Sequence, residues 1–430
     1  MERELLVFMD LAGETVPVGR LWARTRGARE TASFEYDPSW LARRDVFGLD
    51  PVLPPARGQF HTDRPLFNAF TDPAPDRWGQ TLLRRNERRR ARAEGRQPRT
   101  LLAVDFLILV DDETRLGALR FKDAGGGDFL TSTATQVPPV VDLPRLLSAT
   151  NRIIDDKETD EDLQLILAPG TSLGGTRPKA SVRDKDGHLL IAKFPRKDDE
   201  WPVTRWEAAA MALAEAAGVE VSPWRLQLVL KKPVLMARRF DRREGHRIPY
   251  MSALTALDAS DNETRSYLEI AEFLRREGSQ VNEDLRQLWR RIVFNVLVSN
   301  TDDHLRNHGF LRDPKGWRLA PAYDLNPMPT DVKPRIHALA IDEIDGTASL
   351  DTAFQITAMF GMTEKDARAI AAEVGSAVAG WRNAAARFGL ASDKVERMAS
   401  AFDHEDLKAV TRNRTIDQPT QKKAVPKRSR

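Results

Sequence analysis

The chain has 430 residues, of which 41% are hydrophobic and 30% are charged, and this length predicts two or three packed units. It contains no cysteine, which excludes a disulfide framework and a thiolate metal site and fits a reducing compartment such as the cytoplasm. The charge is nearly balanced at +3, the start lacks a signal-peptide core, and no segment approaches the ~20 apolar residues that span a bilayer, so no membrane association is expected.

The first 125 residues predict a β-rich subdomain that also contains helices. The segments LLVFMD and VPVGRLWA are typical of paired strands. The segment ASFEYDPSWL is typical of a strand that runs into a turn, and LGALRF is typical of a further strand. Helices are expected from Trp78 through an arginine-rich run and from about Thr100 to Val110. A linker rich in Gly, Thr and Pro then predicts a domain boundary between residues 125 and 140.

Two stretches are locally basic. Residues 77–99 hold nine arginines against two glutamates, and residues 418–430 hold five basic residues and no acidic one. Both could contact nucleic acid or an acidic partner, and a solvated helix face with a solubilising tail is the alternative. Residues 411–430 are expected to form a disordered basic tail because they have almost nothing to bury.

Between residues 141 and 250 helices and strands are mixed, and from 251 to 410 helices dominate. One hairpin interrupts the helical part. Its turn is DPKG at 313–316, which has Asp, Pro and Gly at the positions that a type I turn prefers.

The segment NTDDHLRNHGFL, residues 300–311, concentrates polar groups that suit phosphoryl transfer. Asp302 and Asn307 are five residues apart, the spacing D-x-x-x-x-N at which a protein-kinase catalytic loop places its base and a metal-binding asparagine. Asp303 pairs at the same distance with His308, so Asp302 is the better base. A polar capped turn is the alternative interpretation of this spacing alone.

A further aspartate follows the hairpin. Asp324, in APAYDLNP, lies 17 residues after Asn307. Oxygen ligands from opposite ends of a hairpin can converge on one Mg²⁺, a cation that prefers oxygen donors. For Asp324 alone, an Asx turn ahead of Asn326 and Pro327 is the alternative.

A lysine strand and a glutamate helix precede the catalytic loop. The run HLLIAKFP places Lys193 in an apolar strand, where its ammonium group needs a partner. Glu207 lies fourteen residues later on the apolar stripe of a predicted helix and is expected to orient the lysine. An edge lysine and a first-turn glutamate favoured by the helix dipole are the alternatives.

The loop GTSLGGTRPKASV, residues 170–182, lies directly before the lysine strand. Gly174 and Gly175 let backbone amides approach phosphate oxygens, and Ser172 and Lys179 supply donors and charge. The loop matches neither G-x-x-x-x-G-K-[ST] nor G-x-G-x-x-G. Its interpretation as a phosphate-covering loop therefore depends on its position directly before the lysine strand. Glycine loop, lysine strand, glutamate helix, catalytic loop, hairpin and aspartate follow in kinase order, which predicts an enzyme that uses ATP and Mg²⁺.

The two histidines of the catalytic segment offer a competing interpretation. His304 and His308 have the i, i+4 spacing of metal ligands on a helix, but the glutamate of an H-E-x-x-H motif is missing. His304 is expected instead to brace the catalytic loop by hydrogen bonds, with His308 as a polar neighbour.

The chain resembles the HipA-like serine/threonine kinases, the toxins of type II toxin–antitoxin modules. TSLGGTRPKASV, LIAKFP, RRFDR, NTDDHLRNHGFL and LAPAYDLNP resemble motifs of the family's catalytic region, and FEYDPSWLA, PDRWGQTLL and LGALRF resemble its amino-terminal subdomain. The resemblance implies an α+β, two-lobed, protein-kinase-like fold with three parts: a β-rich amino-terminal subdomain at 1–125, a nucleotide-binding part at 141–250 and a mainly α-helical catalytic lobe at 251–410.

The resemblance also implies roles for the residues that match the family's motifs. Asp302 would be the catalytic base, Asn307 and Asp324 the Mg²⁺ ligands, and Lys193 a contact of the ATP phosphates.

Two further regions take roles from the resemblance. The backbone from Arg238 to Phe240 would form the adenine-side hinge, although Arg238 stands where the family often has glutamate, and Asp241 would reach the ribose. Ser172 corresponds to the serine that such kinases phosphorylate on themselves, which ejects the phosphate loop and shuts activity off.

The family's partners would be a separate helix-turn-helix antitoxin of the HipB type, operator DNA reached through that antitoxin, and a protein substrate, typically an aminoacyl-tRNA synthetase. Two rival functions remain open. One is a kinase of the same fold that acts on a small molecule, and the other is a kinase-fold co-repressor that binds the antitoxin and operator DNA without catalysis.

Overall fold

The structure, a computed structural model, describes residues 2–27, 29–131, 137–167, 175–261 and 263–416. Its amino-terminal part contains an antiparallel five-stranded sheet in the order β4-β3-β2-β1-β5. The strands are β1 (Glu2–Leu11), β2 (Glu14–Arg26), β3 (Arg29–Tyr36), β4 (Gln59–Thr62) and β5 (Leu119–Asp123). The helices of this part are α1 (Pro38–Leu41), α2 (Asn68–Thr71), α3 (Arg77–Ala93) and α4 (Ala103–Leu109).

Alternation of side chains explains how this sheet buries one face. In β1 the side chains of Leu5, Val7 and Met9 are buried, two residues apart, as the period of a strand requires. The register shifts between Val7 and Phe8, where a bulge bends the strand. The strands and helices predicted for this part are confirmed, with helix α4 beginning at Ala103.

The middle of the chain builds a second sheet in the order β6-β7-β9-β8. Helices α5 and α6 and the start of α3 pack on one face of it, and α7 packs on the other. These elements are α5 (Leu143–Ile154), α6 (Asp160–Leu167), β6 (Lys179–Arg183), β7 (Leu189–Lys193), α7 (Val203–Ala216), β8 (Trp224–Val229), β9 (Lys232–Arg238), β10 (Arg242–Arg243) and β11 (His246–Arg247).

The remaining chain is mainly helical. The predicted hairpin is β14 with β15, and Asp313 Oδ1 closes its turn by accepting hydrogen bonds from the backbone N–H of Lys315 and Gly316. The elements are β12 (Tyr250–Ser252), α8 (Ala253–Ala256), β13 (Arg265–Ser266), α9 (Tyr267–Glu277), α10 (Val281–Leu297), β14 (Gly309–Asp313), β15 (Gly316–Leu319), β16 (Leu339–Ala340), α11 (Leu350–Gln355), α12 (Glu364–Val378), α13 (Trp381–Arg387), α14 (Ser392–Met398) and α15 (Glu405–Ile416).

The amino-terminal sheet and the helical lobe share one hydrophobic core. Buried side chains of β1 and β3 belong to the same cluster as those of α9 and α10. The rings of Phe47 and Trp317 meet edge to face across the junction, with centroids 5.8 Å apart. The sequence predicts separately packed units, but the amino-terminal subdomain and the helical lobe pack against each other through this shared core.

The carboxy-terminal boundary differs from the prediction. The disordered tail was expected from residue 411, whereas α15 is helical through Ile416, and residues 417–430 lie outside the described part of the chain. None of the helices in the described residues is long and apolar enough to cross a membrane.

The arginine-rich run lies on α3 and the turn after it, where several of its members are paired. Arg85 donates to the carbonyl of Ile153 at 2.7 Å and to Glu158 at 3.2 Å. Arg96 pairs with Glu87 at 2.6 Å. Because these contacts fasten α3 to the end of α5 and to its own following turn, they favour a structural role for the run over a free basic surface.

Candidate active site

Three charged residues from three separate elements meet in one cluster. Lys193 ends β7, Glu207 lies in the second turn of α7, and Asp324 follows hairpin β14–β15. The Lys193 ammonium group lies 2.7 Å from Asp324 Oδ1 and forms a second ion pair with Glu207. The structure therefore brings together the lysine, the glutamate and the aspartate that the sequence placed in kinase order.

Burial and charge compete in setting the protonation of this cluster. Burial by itself would lower the pKa of Lys193, but the carboxylates of Asp324 and Glu207 outweigh it and raise that pKa. Burial raises the pKa of Glu207. The pKa of Asp324 is lowered, because the charges of Lys193 and Lys179 outweigh the effect of its burial. The lysine is thus held in its charged form beside an ionised aspartate.

The backbone of Asp324 adopts an unusual conformation. Its φ angle is 60°, in the left-handed region that residues other than glycine rarely occupy. The side chain of the preceding residue, Tyr323, donates a hydrogen bond to the carbonyl of Arg306 at 2.7 Å. Strained backbone of this kind persists where the surroundings hold it, and it is common at functional sites.

The predicted catalytic loop lies between α10 and β14. Asp302 is the exposed member of its aspartate pair, with 68% of its side chain accessible and Lys333 at 3.6 Å as a cation neighbour. Asn307 is buried and donates from Nδ2 to the Asp302 carbonyl at 3.2 Å. Its Oδ1 is buried and has no hydrogen-bond partner among the described residues.

A buried polar network holds this loop from behind. Asp303 Oδ2 accepts hydrogen bonds from Tyr267 Oη at 2.5 Å and Asn295 Nδ2 at 2.9 Å, and it lies 2.7 Å from His308 Nε2. Burial on its own would raise the pKa of Asp303, but His308 and Tyr267 lower it. The sequence predicted Asp302 as the base and not Asp303, which agrees with the exposure of Asp302 and the burial of Asp303.

The roles expected for the two histidines are exchanged. His304 was expected to brace the loop, but its Nδ1 is buried without a hydrogen-bond partner among the residues described. His308, expected to be a mere neighbour, makes the contact with Asp303. The sequence contained a signal for this, since Asp303 and His308 share the five-residue spacing of Asp302 and Asn307.

Lys179 is connected to the amino-terminal subdomain. It begins β6 and is buried, and its Nζ lies 2.5 Å from Asp76 Oδ2. Asp76 also caps α3 by accepting from the backbone N–H of Gly79 at 2.8 Å, and Trp78 Nε1 donates to the Lys179 carbonyl at 3.1 Å. In the sequence this segment resembles only a motif of the amino-terminal subdomain, and nothing in its spacing indicates the contact with Lys179.

Gly175 lies close to the charged cluster. Its φ is +99°, and a Cβ built there would lie 3.7 Å from Lys179 Nζ and 3.9 Å from Asp324 Oδ2. Ser172 and Gly174, the other residues singled out in this loop, lie outside the described residues.

The predicted hinge begins at Arg238, the last residue of β9. The backbone N–H groups of Arg238 and Arg239 donate to the carbonyls of Pro223 and Leu189 at 2.8 and 2.9 Å. The Phe240 ring lies beside that of Tyr323, with centroids 5.4 Å apart. The segment thus adjoins the residue before Asp324.

Asp241 does not face an open cleft. Its side chain is fully buried and accepts hydrogen bonds from Arg239, Arg242 and the backbone N–H of Gly117 at 2.6 to 2.8 Å. Although burial would raise the pKa of Asp241, the two arginines lower it. Because its oxygens are engaged, we assign it to the junction with the amino-terminal subdomain and not to a ribose contact, which corrects the expectation.

Family comparisons agree with this arrangement of elements. The model of the HipA-like C-terminal domain matches residues 171–381, and that of the HipA N-terminal domain matches residues 9–105. The chain belongs to the HipA-like family. Both matched regions contain members of the site, since Asp76 lies in the first domain and the Lys193 cluster lies in the second.

Curated relatives and solved structures are similar to this HipA-like chain. "Putative kinase Y4mE" of Sinorhizobium fredii is 32% identical over 32% of this chain and 35% of its own length. A "Putative kinase" of Haemophilus influenzae is 27% identical over 43% of this chain and 62% of its own length. The matches therefore span about a third and somewhat under two thirds of those relatives.

One solved structure that is similar is the Shewanella oneidensis MR-1 toxin–antitoxin complex of HipA, HipB and operator DNA. A chain of that complex is 19% identical, covers 94% of this chain and 96% of its own length, and gives a TM-score of 0.62. This likeness confirms the predicted α+β fold, with its β-rich amino-terminal part and helical carboxy-terminal part.

Proposed function

We propose that the chain is an ATP-dependent serine/threonine protein kinase. The observation that carries the proposal is the meeting of Lys193, Glu207 and Asp324 next to the segment that contains Asp302 and Asn307, to which Tyr323, the residue before Asp324, is hydrogen-bonded. In phosphoryl transfer the protein mainly positions the groups and stabilises charge, so a fixed lysine and an accessible aspartate are the parts it must supply.

Each residue has a distinct task in this proposal. Glu207 orients Lys193, whose ammonium group neutralises ATP phosphates. Asp302 accepts the proton of the substrate hydroxyl, and its exposure leaves room for a protein substrate. Lys179, held by Asp76, adds positive charge beside the phosphate loop.

The residues present fit a magnesium ion. The buried Asn307 Oδ1 lacks a partner among the described residues, and Asp324 offers an ionised carboxylate, so both donors are the oxygens that Mg²⁺ prefers. Asn307 and Asp324 would hold the ion, which supplies charge neutralisation on the nucleotide phosphates when it is bound.

The family and the fold support a role as the toxin of a type II toxin–antitoxin module. We propose a separate helix-turn-helix antitoxin as its partner, with operator DNA reached through that antitoxin, because a structural neighbour is a complex of HipA, HipB and operator DNA. The proposed substrate is a translation-related protein, typically an aminoacyl-tRNA synthetase. A cytoplasmic location is part of the same proposal.

The first test is phosphopeptide mass spectrometry after incubation of the purified chain with ATP and Mg²⁺. We expect phosphate on Ser172, and we expect it to be absent in Asp302→Asn. Asp393→Asn, which removes an exposed carboxylate on α14, is the matched control and should behave as wild type.

Two outcomes would oppose the proposal. Equal phosphorylation in Asp302→Asn would remove that residue from the chemistry. Absence of phosphate in every sample, together with no ATP binding by calorimetry, would leave the co-repressor as the better function. Phosphorylation of purified aminoacyl-tRNA synthetases, compared with that of small-molecule acceptors, separates a protein kinase from a small-molecule kinase.

A further inference from the structure

An arginine-lined cavity lies where the amino-terminal subdomain meets the hinge. Its volume is about 300 Å³, a size that accommodates a small ligand. Residues of the β1 end, β5, the β6–β7 turn, β9 and the β10–β11 hairpin line it. The arginines among them are Arg120, Arg183, Arg238, Arg239, Arg242 and Arg247.

The charge of this cavity is positive. Three carboxylates, those of Asp10, Glu113 and Glu244, line it together with the six arginines. Two more carboxylates, those of Asp112 and Asp241, lie behind the arginines and are hydrogen-bonded to them. Among the residues that line the cavity, the six arginines therefore exceed the carboxylates by three positive charges.

Two of the arginines have donors to offer a ligand. Arg247 is held through Nη2, which lies 3.1 Å from Asp112 Oδ2, while its Nη1 is buried and has no hydrogen-bond partner among the described residues. Only 10% of the Arg247 side chain is accessible. The half-buried Arg238 lines the same cavity, and no carboxylate of the described chain pairs with its guanidinium group.

The lowered pKa values of two of these arginines agree with an excess of positive charge in the cavity. The pKa of Arg242 is lowered to about 9, chiefly by burial; Asp241 opposes this shift, and the positive charges of Arg239 and Arg247 contribute to it. Burial also lowers the pKa of Arg247, and Arg120 contributes in the same direction. An anion bound among these groups would relieve their mutual repulsion.

We propose that this cavity binds a small phosphate-bearing anion, at a site separate from the phosphate end of the active site. Guanidinium groups suit phosphate because their planar donors can form paired hydrogen bonds to its oxygens. Leu189, which lines the cavity, precedes Lys193 by four residues on β7, a separation of about 13 Å at ~3.3 Å per residue. The proposal does not depend on kinase activity.

Such a ligand would contact both sides of the junction. Arg239 already joins them by donating to the carbonyl of Arg115 at 3.2 Å, and Arg183 pairs with Glu113. An anion in the cavity would add a bridge from β5 and the residues before it to the hinge strand β9. Binding of the anion would therefore stabilise the contact between the amino-terminal subdomain and β9.

The test is calorimetric titration of the purified full-length chain with inorganic pyrophosphate. We expect saturable binding that Arg238→Gln weakens by about tenfold or more, the effect of losing one charge-assisted contact. Arg225→Gln removes an exposed arginine of β8 outside the cavity and should leave the affinity unchanged. Lys193→Gln would remove any second class of pyrophosphate site at the phosphate end of the active site, but it should leave the class of site that Arg238→Gln weakens.

Each alternative result overturns the proposal. Absence of saturable binding to the wild type would show that the cavity takes no such anion. Equal weakening by Arg225→Gln and Arg238→Gln would indicate binding to the surface charge in general. Loss of binding in Lys193→Gln, with Arg238→Gln unaffected, would assign the pyrophosphate to the active site. Arg247→Gln serves as a second cavity variant, and circular dichroism confirms that each variant is folded.

Discussion

The ammonium group of Lys193 lies 2.7 Å from the carboxylate of Asp324, a residue 131 positions later in the chain. The contact joins the last residue of β7 to the loop after the β14–β15 hairpin, and Glu207 of α7 completes it from the other side. All three side chains are largely buried. Removal of any one charge would therefore leave an oppositely charged partner buried without its ion pair.

The first prediction concerns the lysine of this cluster. Lys193→Met leaves two buried carboxylates without their cation and should destabilise the chain by about 3–5 kcal/mol, as breaking buried ion pairs commonly does. Urea unfolding at neutral pH measures the change. Lys232→Met, at the exposed first residue of β9, is the control and should change the free energy of unfolding by less than ~0.5 kcal/mol. Similar losses in the two variants would show that the cluster is not a stabilising unit.

The two adjacent aspartates of the catalytic loop should respond in opposite ways. Asp302→Asn changes an exposed side chain, so stability should stay within ~0.5 kcal/mol while the phosphoryl-transfer rate falls by roughly 10²–10⁴-fold. Asp303→Asn weakens the buried contacts with Tyr267 and His308 and should cost about 2–4 kcal/mol of stability. Thermal unfolding and a kinase assay on both variants test this, and a stability loss confined to Asp302→Asn would refute it.

The link between Asp76 and Lys179 can be separated from the helix cap. Asp76→Asn keeps a side chain that can cap α3 but removes the charge that pairs with Lys179, whereas Asp76→Ala removes both. We expect both variants to lower ATP affinity, and Asp76→Ala to be less stable than Asp76→Asn by about 1 kcal/mol. Calorimetric titration with ATP and urea unfolding provide the two readouts. Unchanged ATP affinity in both variants would confine Asp76 to a structural role.

A buried histidine should make the fold sensitive to acid. Burial lowers the pKa of His337 from its usual 6.5 to about 4, although Asp303 opposes the shift. The unfolded chain therefore takes up this proton before the folded chain does, so stability falls as pH decreases from about 6.5 to about 4.

His337→Gln should reduce this sensitivity. Between pH 7 and pH 5 the wild type should lose about 2 kcal/mol more of its free energy of unfolding than the variant loses. Urea unfolding at both pH values measures the difference, and His246→Gln, at an exposed position of β11, is the control. Parallel pH profiles for wild type and His337→Gln would contradict the assignment.

The sequence by itself determined the order of elements and the residues that carry charge. Alternating apolar residues predicted β1 and β7, turn residues predicted the β14–β15 hairpin, and a helix with Glu207 on its buried face followed the lysine strand. These features depend on local periodicity and on backbone preferences, which are encoded within a few residues. The same local reading predicted the family through its motifs.

Only the tertiary structure decided which polar groups share a buried environment. The contact of Asp76 with Lys179 spans 103 residues, and the partners of Asp241 include Gly117 from the amino-terminal subdomain. Neither relationship has a local spacing from which it could be inferred. Because a buried charge is tolerated only when a partner reaches it, the packing of distant elements decides whether an aspartate faces the ligand or the core.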